Sequence, residues 1–295
     1  MQTVPAKKIV SSYTEKGWFG ANFNMNIYRG CCHGCIYCDS RSECYNIPDF
    51  DTVKAKENAL VIIENELKSK RRKGIIMTGA MSDPYNPFEK KEELTRSALH
   101  LINKYNFGIN ILTKSDLVTR DADILNAIQE HNPAVVNFTV TTADDEICKK
   151  VEPNVCSTSE RLKALEYLSK ENISCGIGLM PVLPFINDNI KNISQIVELA
   201  AGAGAKWIFS YPTLAVSLRQ NQRKYFYDRL DEKFPGIKEK YIKTYGSSYW
   251  CASPDSDYLW NELKSLCKKY NLLYRHNEIE DAIRNDNKMR QIKLF

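Results

Sequence analysis

The sequence predicts an α/β fold: a partial (βα)6 TIM-like barrel over residues 1–212, with a C-terminal helical extension over 213–295. Three observations carry this. Six short apolar runs alternate with amphipathic stretches between about residues 22 and 212, the pattern of a parallel sheet joined by right-handed crossovers. The runs are apolar at nearly every position, as strands covered on both faces are. The alternation stops at Thr213, and the rest reads as helices. Six units fall short of the eight that close a full barrel. An open, partial barrel is therefore expected, with an open doubly wound sheet as the alternative.

Taken in order, "NFNMNIY" places Phe23, Met25 and Ile27 at period two, which predicts the first strand. A cysteine-rich loop follows. In "VKAKENALVIIENELKSKRR" the residues Ala55, Ala59, Ile62, Ile63 and Leu67 share one helical face, and "GIIMT" is the second strand. "EELTRSALHLINKY" aligns Leu94, Ala98, Leu101, Ile102 and Tyr105, and "FGINILT" is the third strand. Ile124, Leu125 and Ile128 mark a short helix before the strand "AVVNFTV". "SERLKALEYLSK" is helical and "SCGIGLM" extended. "NIKNISQIVELAAGAGA" is a helix ending in Gly202 and Gly204, residues suited to a helix C-terminus, and "KWIFSY" is the sixth strand. Beyond it, "LRQNQRKYFYDRLDEKF", "GIKEKYIKTYG" and "SDYLWNELKSLCKKYN" predict helices packed on or across the sheet.

Hydrophobic residues at 43% and charged residues at 26% exclude a disordered chain. A net charge of +5 permits an anionic partner without requiring one. No uncharged run is long enough to cross a membrane. The segment "MQTVPAKKIVSSYTEKGW" lacks the apolar core of a secretory signal. A cytoplasmic protein with no membrane partner is expected. In a reducing compartment ten cysteines point to metal or redox chemistry rather than to disulfides.

Five of those cysteines fall in "NIYRGCCHGCIYCDSRSECY", residues 26–45. Cys31, Cys35 and Cys38 form C-x3-C-x2-C. Thiolates so close converge on a metal ion or a cluster. Zinc usually takes four ligands from two separated pairs, and no second pair follows, although Cys44 or His33 would complete a zinc knuckle. Three thiolates on a four-iron cluster leave one iron open, which marks a reactive centre. The loop leaves the first strand, and in α/β barrels such loops build the active site. The same rule gathers "GAMSDPYNP" (79–87), Lys114, Thr139, Thr141, Thr142, Tyr211 and Pro212 on one rim. Glycine, hydroxyls, one acid and one lysine suit a small molecule bearing both amine and carboxylate.

"YRGCCHGCIYC" resembles the cluster loop of radical S-adenosylmethionine (SAM) enzymes, in which an aromatic residue, here Tyr37, precedes the last cysteine. "MTGAMSDPYNPFEKKEELTRSALHLI" and "KVEPNVCSTSERLKALEYLSK" resemble the branch related to spore photoproduct lyase, and the likeness covers about residues 20–212. The resemblance implies a [4Fe–4S] cluster on Cys31, Cys35 and Cys38, with SAM on the fourth iron. It implies reductive cleavage of SAM to a 5′-deoxyadenosyl radical that abstracts hydrogen from a substrate. It assigns SAM contacts to Tyr37, Gly79, Ala80, Met81, Ser82, Asp83, Lys114 and Thr139, with Glu152 and Arg161 as further candidates. A flavodoxin or ferredoxin as electron donor is also implied. The sequence departs from spore photoproduct lyase itself at Ala80, where that enzyme's hydrogen-donating cysteine would stand, and at Asp39, where its tyrosine would.

Other residues have plainer readings. Cys32 and Cys44 lie near the cluster without a ligand's spacing, and the remaining cysteines suit small buried hydrophobes. "KSKRRK" (68–73) supplies charge at a helix C-terminus or, alternatively, contacts phosphate. Tyr211, Tyr249 and Trp250 are candidates for the substrate side of the mouth. Three functions compete: a radical SAM enzyme acting on an unknown small molecule, one acting on a nucleic-acid lesion, and a zinc-stabilised binding module.

Overall fold

The computed structural model describes residues 1–13 and 17–291. The chain opens with β1 (Gln2–Val4), β2 (Val10–Ser12), β3 (Phe23–Met25), β4 (Tyr28–Arg29) and β5 (Lys54–Lys56). Next come α1 (Ala59–Ser69), β6 (Ile75–Thr78), α2 (Glu89–Glu92), α3 (Leu94–Lys104), β7 (Gly108–Thr113), α4 (Ala122–Gln129) and β8 (Ala134–Thr139). The barrel continues with α5 (Asp145–Val151), α6 (Thr158–Lys170), β9 (Ser174–Gly178), α7 (Ile190–Gly202) and β10 (Trp207–Phe209). The extension holds β11 (Ala215–Ser217), α8 (Gln220–Lys233), α9 (Ile237–Tyr245), β12 (Trp250–Ala252), α10 (Ser256–Lys269) and α11 (His276–Gln291).

The main sheet runs β10-β9-β8-β7-β6-β3-β2. The six predicted strands are parallel neighbours, and β2 adds an antiparallel edge to β3. The two faces of the sheet go to different places. Ile76, Ile109, Ile111, Val136 and Ile177 point outward into a core shared with α1, α3, α4, α6 and α7. Ile75, Met77, Val135 and Trp207 point inward, into a separate cluster with Phe19 and Phe209. Helices on one face and a self-facing interior make a partial barrel, not a doubly wound sheet. Side chains rather than backbone fill the slot between its edges. Phe19 meets Phe209 at 5.0 Å between ring centres, and Ile279 and Ile283 of α11 pack behind them. The β10 edge is also covered: Ile208 donates to the Leu273 carbonyl at 2.9 Å, and Leu273 donates back to Lys206 at 3.1 Å.

One predicted helix starts late. The apolar face counted from Ala55 begins in fact at Ala59, because Lys54–Lys56 is β5, with Ala55 between Thr3 of β1 and Tyr28 of β4. Asn58, at φ +52°, then turns the chain into α1. Elsewhere local chemistry agrees with the outcome: Ser157 and Glu160 form a reciprocal capping box at the start of α6.

Candidate active site

The cysteine loop leaves β3 and β4 and is held from three directions. Cys31 N–H donates to the Phe50 carbonyl at 2.7 Å, and Ile36 N–H to that of Val151 at 3.0 Å. From the Val-Glu-Pro-Asn segment, Asn154 donates its backbone N–H to His33 and its side chain to Cys32. From the extension, Gln222 donates to the Tyr37 carbonyl at 3.0 Å and Arg219 Nε pairs with Asp39 at 3.0 Å. Gly34 sits at φ +69°, where an added Cβ would press on Asn154 and Pro153 at 3.1 Å.

Cys31, Cys35 and Cys38 line one cleft together with Gly79, Ala80, Met81, Ser82, Asp83, Lys114 and Thr139. Of the three cysteines and the eight residues assigned to SAM, ten thus meet at one spot, while the further candidates Glu152 and Arg161 do not line it. The eleventh, Tyr37, stands behind it and lines a larger neighbouring cavity. Cys32 and Cys44 are not among the walls of the cleft, and Cys44 is exposed. Among the described residues no three His, Cys, Asp or Glu side chains converge closely enough to hold a single metal ion. Three thiols lining one cleft are a donor set that suits an iron–sulfur cluster.

The segment after β6 owes its shape to its side chains. Gly79, at φ +97°, runs so close to β7 that a Cβ would lie 1.8 Å from the Leu112 carbonyl oxygen. Ser82 donates to the Gly30 carbonyl at 2.6 Å, tying the segment to the cysteine loop. Asp83 accepts from Thr113 Oγ1 (2.8 Å), Lys114 N–H (2.8 Å) and Tyr85 N–H (2.9 Å), and His33 Nδ1 lies 3.6 Å away. Its carboxylate is therefore committed to holding three loops in place.

Electrostatics follow from burial. Desolvation pushes the Cys31 thiol up to about 12 and Cys35 well above its ordinary value, with Lys114 pulling Cys35 down. A metal bound at these sulfurs would displace protons that burial otherwise keeps. Burial also pulls the Lys114 ammonium down, but Cys35, Glu152 and Asp83 outweigh it, so the lysine stays charged. Burial draws His33 below its usual value despite Asp83.

Behind the loop lies a network the sequence only hinted at. The Tyr37 hydroxyl donates to Glu152, which pairs with Arg161 at 2.6 Å, both side chains fully buried. Arg161 also donates to the Thr139 carbonyl at 2.8 Å and to that of Cys156. Two contributions escaped sequence reasoning. Gln222 and Arg219, at the head of α8, hold the cysteine loop from far along the chain, and no local pattern announces them. The β11–β12 pair, two strands where only helices were expected, carries Trp250, itself a candidate from the sequence, to the barrel mouth.

Residues 25–197 match the model of the Radical SAM superfamily. The chain belongs to the radical SAM superfamily. Members use a [4Fe–4S] cluster and SAM, so the chain is an enzyme of that chemistry. Its fold is similar to spore photoproduct lyase complexed with dinucleoside spore photoproduct (TM-score 0.62, 12% identity, 89% of this chain and 78% of that one). It is also similar to a radical SAM methyltransferase of Kitasatospora setae with tryptophan and a SAM analogue bound (TM-score 0.55, 12% identity, 82% and 51%). Identities this low carry the fold alone. An uncharacterized protein of Mycobacterium tuberculosis is 25% identical over 261 residues, covering 86% of this chain and 76% of that one. Another, of Methanocaldococcus jannaschii, is 34% identical over 172 residues, covering 57% and 63%. The basic run at 68–73 lies at the far end of this radical SAM barrel. Lys70 and Lys73 sit over the rings of Phe23 and Phe107, 4.6 and 4.5 Å from their centres, where β3 and β7 begin. Among the described residues no helix is long and apolar enough to cross a membrane.

Proposed function

We propose that Cys31, Cys35 and Cys38 hold the [4Fe–4S] cluster and that Lys114 and the Gly79–Met81 backbone hold SAM, in an enzyme that abstracts hydrogen from its substrate. The single observation behind this is the cleft lined by three thiols, Cys31 and Cys35 buried and Cys38 half-buried, with one charged lysine and a glycine-shaped stretch of backbone. The chemistry the cofactors supply when bound is one-electron reductive cleavage of SAM. The chain's own work is to hold and to exclude. Lys114 offers a cation to a carboxylate, and backbone carbonyls of the Gly79 segment offer acceptors to an amine. Glu152, through Tyr37, keeps the third cysteine's neighbour fixed. A flavodoxin-like or ferredoxin-like reductant is the proposed electron donor, and the cytoplasm the proposed compartment.

Repair of a DNA lesion is not favoured over other hydrogen abstractions: Ala80 in the cleft and Asp39 beside it stand where spore photoproduct lyase carries its cysteine and tyrosine. The test is anaerobic reconstitution with iron and sulfide, followed by dithionite and SAM. The expected product is 5′-deoxyadenosine, and Cys35→Ala should lower it at least a hundredfold together with the bound iron. A variant that retains both, or a wild-type protein binding one zinc and no iron, overturns the assignment.

A further inference from the structure

Beside the cysteine cleft, across a wall that includes Cys38, Ala80 and Met81, lies a cavity of about 480 Å³. Trp18, Tyr211 and Trp250 line it. They pack edge to face, Trp18 to Tyr211 at 6.1 Å and Tyr211 to Trp250 at 5.9 Å between ring centres. The three keep 39%, 37% and 38% of their surface, while the neighbouring Phe19 and Phe209 keep 1% and 6%. Aromatic surface left open at one mouth, beside rings that are fully packed, signals a binding face. The rings are also fixed in advance. Trp250 pairs with Ser217 across β11 and β12, and its indole N–H donates to Thr213 Oγ1 at 3.1 Å. Among the described residues no lysine or arginine lines this cavity. Its one acid, Asp39, is engaged by the Tyr45 hydroxyl at 2.9 Å and Arg219 Nε at 3.0 Å. The described part of the wall therefore presents π faces, and the one charge on it is already paired.

We propose that Trp18, Tyr211 and Trp250 form a substrate subsite that takes a flat, uncharged ring system, any phosphate or carboxylate of the substrate remaining outside. The proposal rests on the radical SAM reading, since it names the class of molecule delivered to that cleft. Edge-to-face and stacked contacts reward a planar ligand over a puckered one of equal size. Binding without cations is insensitive to salt, unlike phosphate recognition.

Three probes of matched skeleton test it: 2-naphthol, decahydro-2-naphthol and 2-naphthyl phosphate. Affinities are measured by calorimetry on the full chain, both as purified and reconstituted with SAM. Naphthol should bind about tenfold more tightly than its saturated counterpart, roughly the worth of one or two ring contacts. That preference should be unchanged between low and high salt and should fall at least fivefold in Trp250→Ala. Tyr211→Phe, which keeps the ring, should retain it. Equal binding of the saturated probe overturns the proposal. So does tighter, salt-sensitive binding of the phosphate, or an unaltered preference in a Trp250→Ala protein whose secondary structure is intact. Ring binding needs no cluster, so its failure is distinct from failure to form 5′-deoxyadenosine, which would sink the radical reading alone.

Discussion

At the scale of single residues, the Glu152–Arg161 pair shows what the interior demands. Burial pushes the Glu152 carboxyl upward, yet Arg161 and Lys114, helped by the Tyr37 hydroxyl, hold it below the usual carboxylate range. A fully buried ion pair is weak evidence for stability, but breaking one strands a charge. Arg161→Leu is expected to cost about 3–5 kcal/mol of unfolding free energy, measured in urea. The double change Glu152→Gln with Arg161→Leu should recover part of that loss, since no carboxylate is left stranded and the amide still accepts from Tyr37. A single variant costing under about 1 kcal/mol would show that water reaches the site.

At the scale of elements, α3 and α4 are bolted together by charge. Arg96 of α3 donates to Asp121 and grips both oxygens of Asp123 at 2.9 and 2.7 Å. The Arg96 hydrogen bond is the largest influence on Asp123 and lowers its carboxyl from 3.8 to about 2. A depressed carboxyl contributes stability that is fully present above the unfolded value and is lost as pH falls through the folded one. The Asp123 contribution should therefore fade between about pH 3.8 and pH 2. Because the carboxylate is mostly exposed, solvent screening keeps the effect small. Arg96→Met should flatten this part of the acid limb in thermal melts taken across that range. An unchanged limb would show that the pair adds nothing in solution.

At the scale of the whole molecule, the extension is part of the site. Phe226, Leu230 and Tyr241 form one apolar cluster with Cys35, Ile36 and Tyr37. Each such buried side chain stabilises by about 1.5–3 kcal/mol. A chain ending at residue 212 should expose the back of the cysteine loop, aggregate in size-exclusion runs, and retain under a tenth of the iron of the full chain after reconstitution. A monomeric truncated form with full iron would show the loop to be self-sufficient.

The barrel was legible because parallel strands write long apolar runs such as "GIIMT" and "AVVNFTV", and the cysteine spacing is local. What lay beyond reading was non-local. Asp83 lines the cleft where the sequence put it, but the three loops its carboxylate also ties are near each other only in the fold. Lys54–Lys56 counted as the start of a helix because pairing with β1 and β4 leaves no mark in the window itself. Gln222 contacts Tyr37 from 185 positions away, a distance no periodicity spans.

The excursion between β11 and β12 carries Gln222, which steadies the cysteine loop, and returns the chain at Trp250 on the mouth. One stretch of chain thus props the cysteine loop and supplies a ring of the proposed subsite. Exchanging that stretch wholesale to admit a different guest would remove the prop in the same stroke, whereas a point change at its rim would leave it in place.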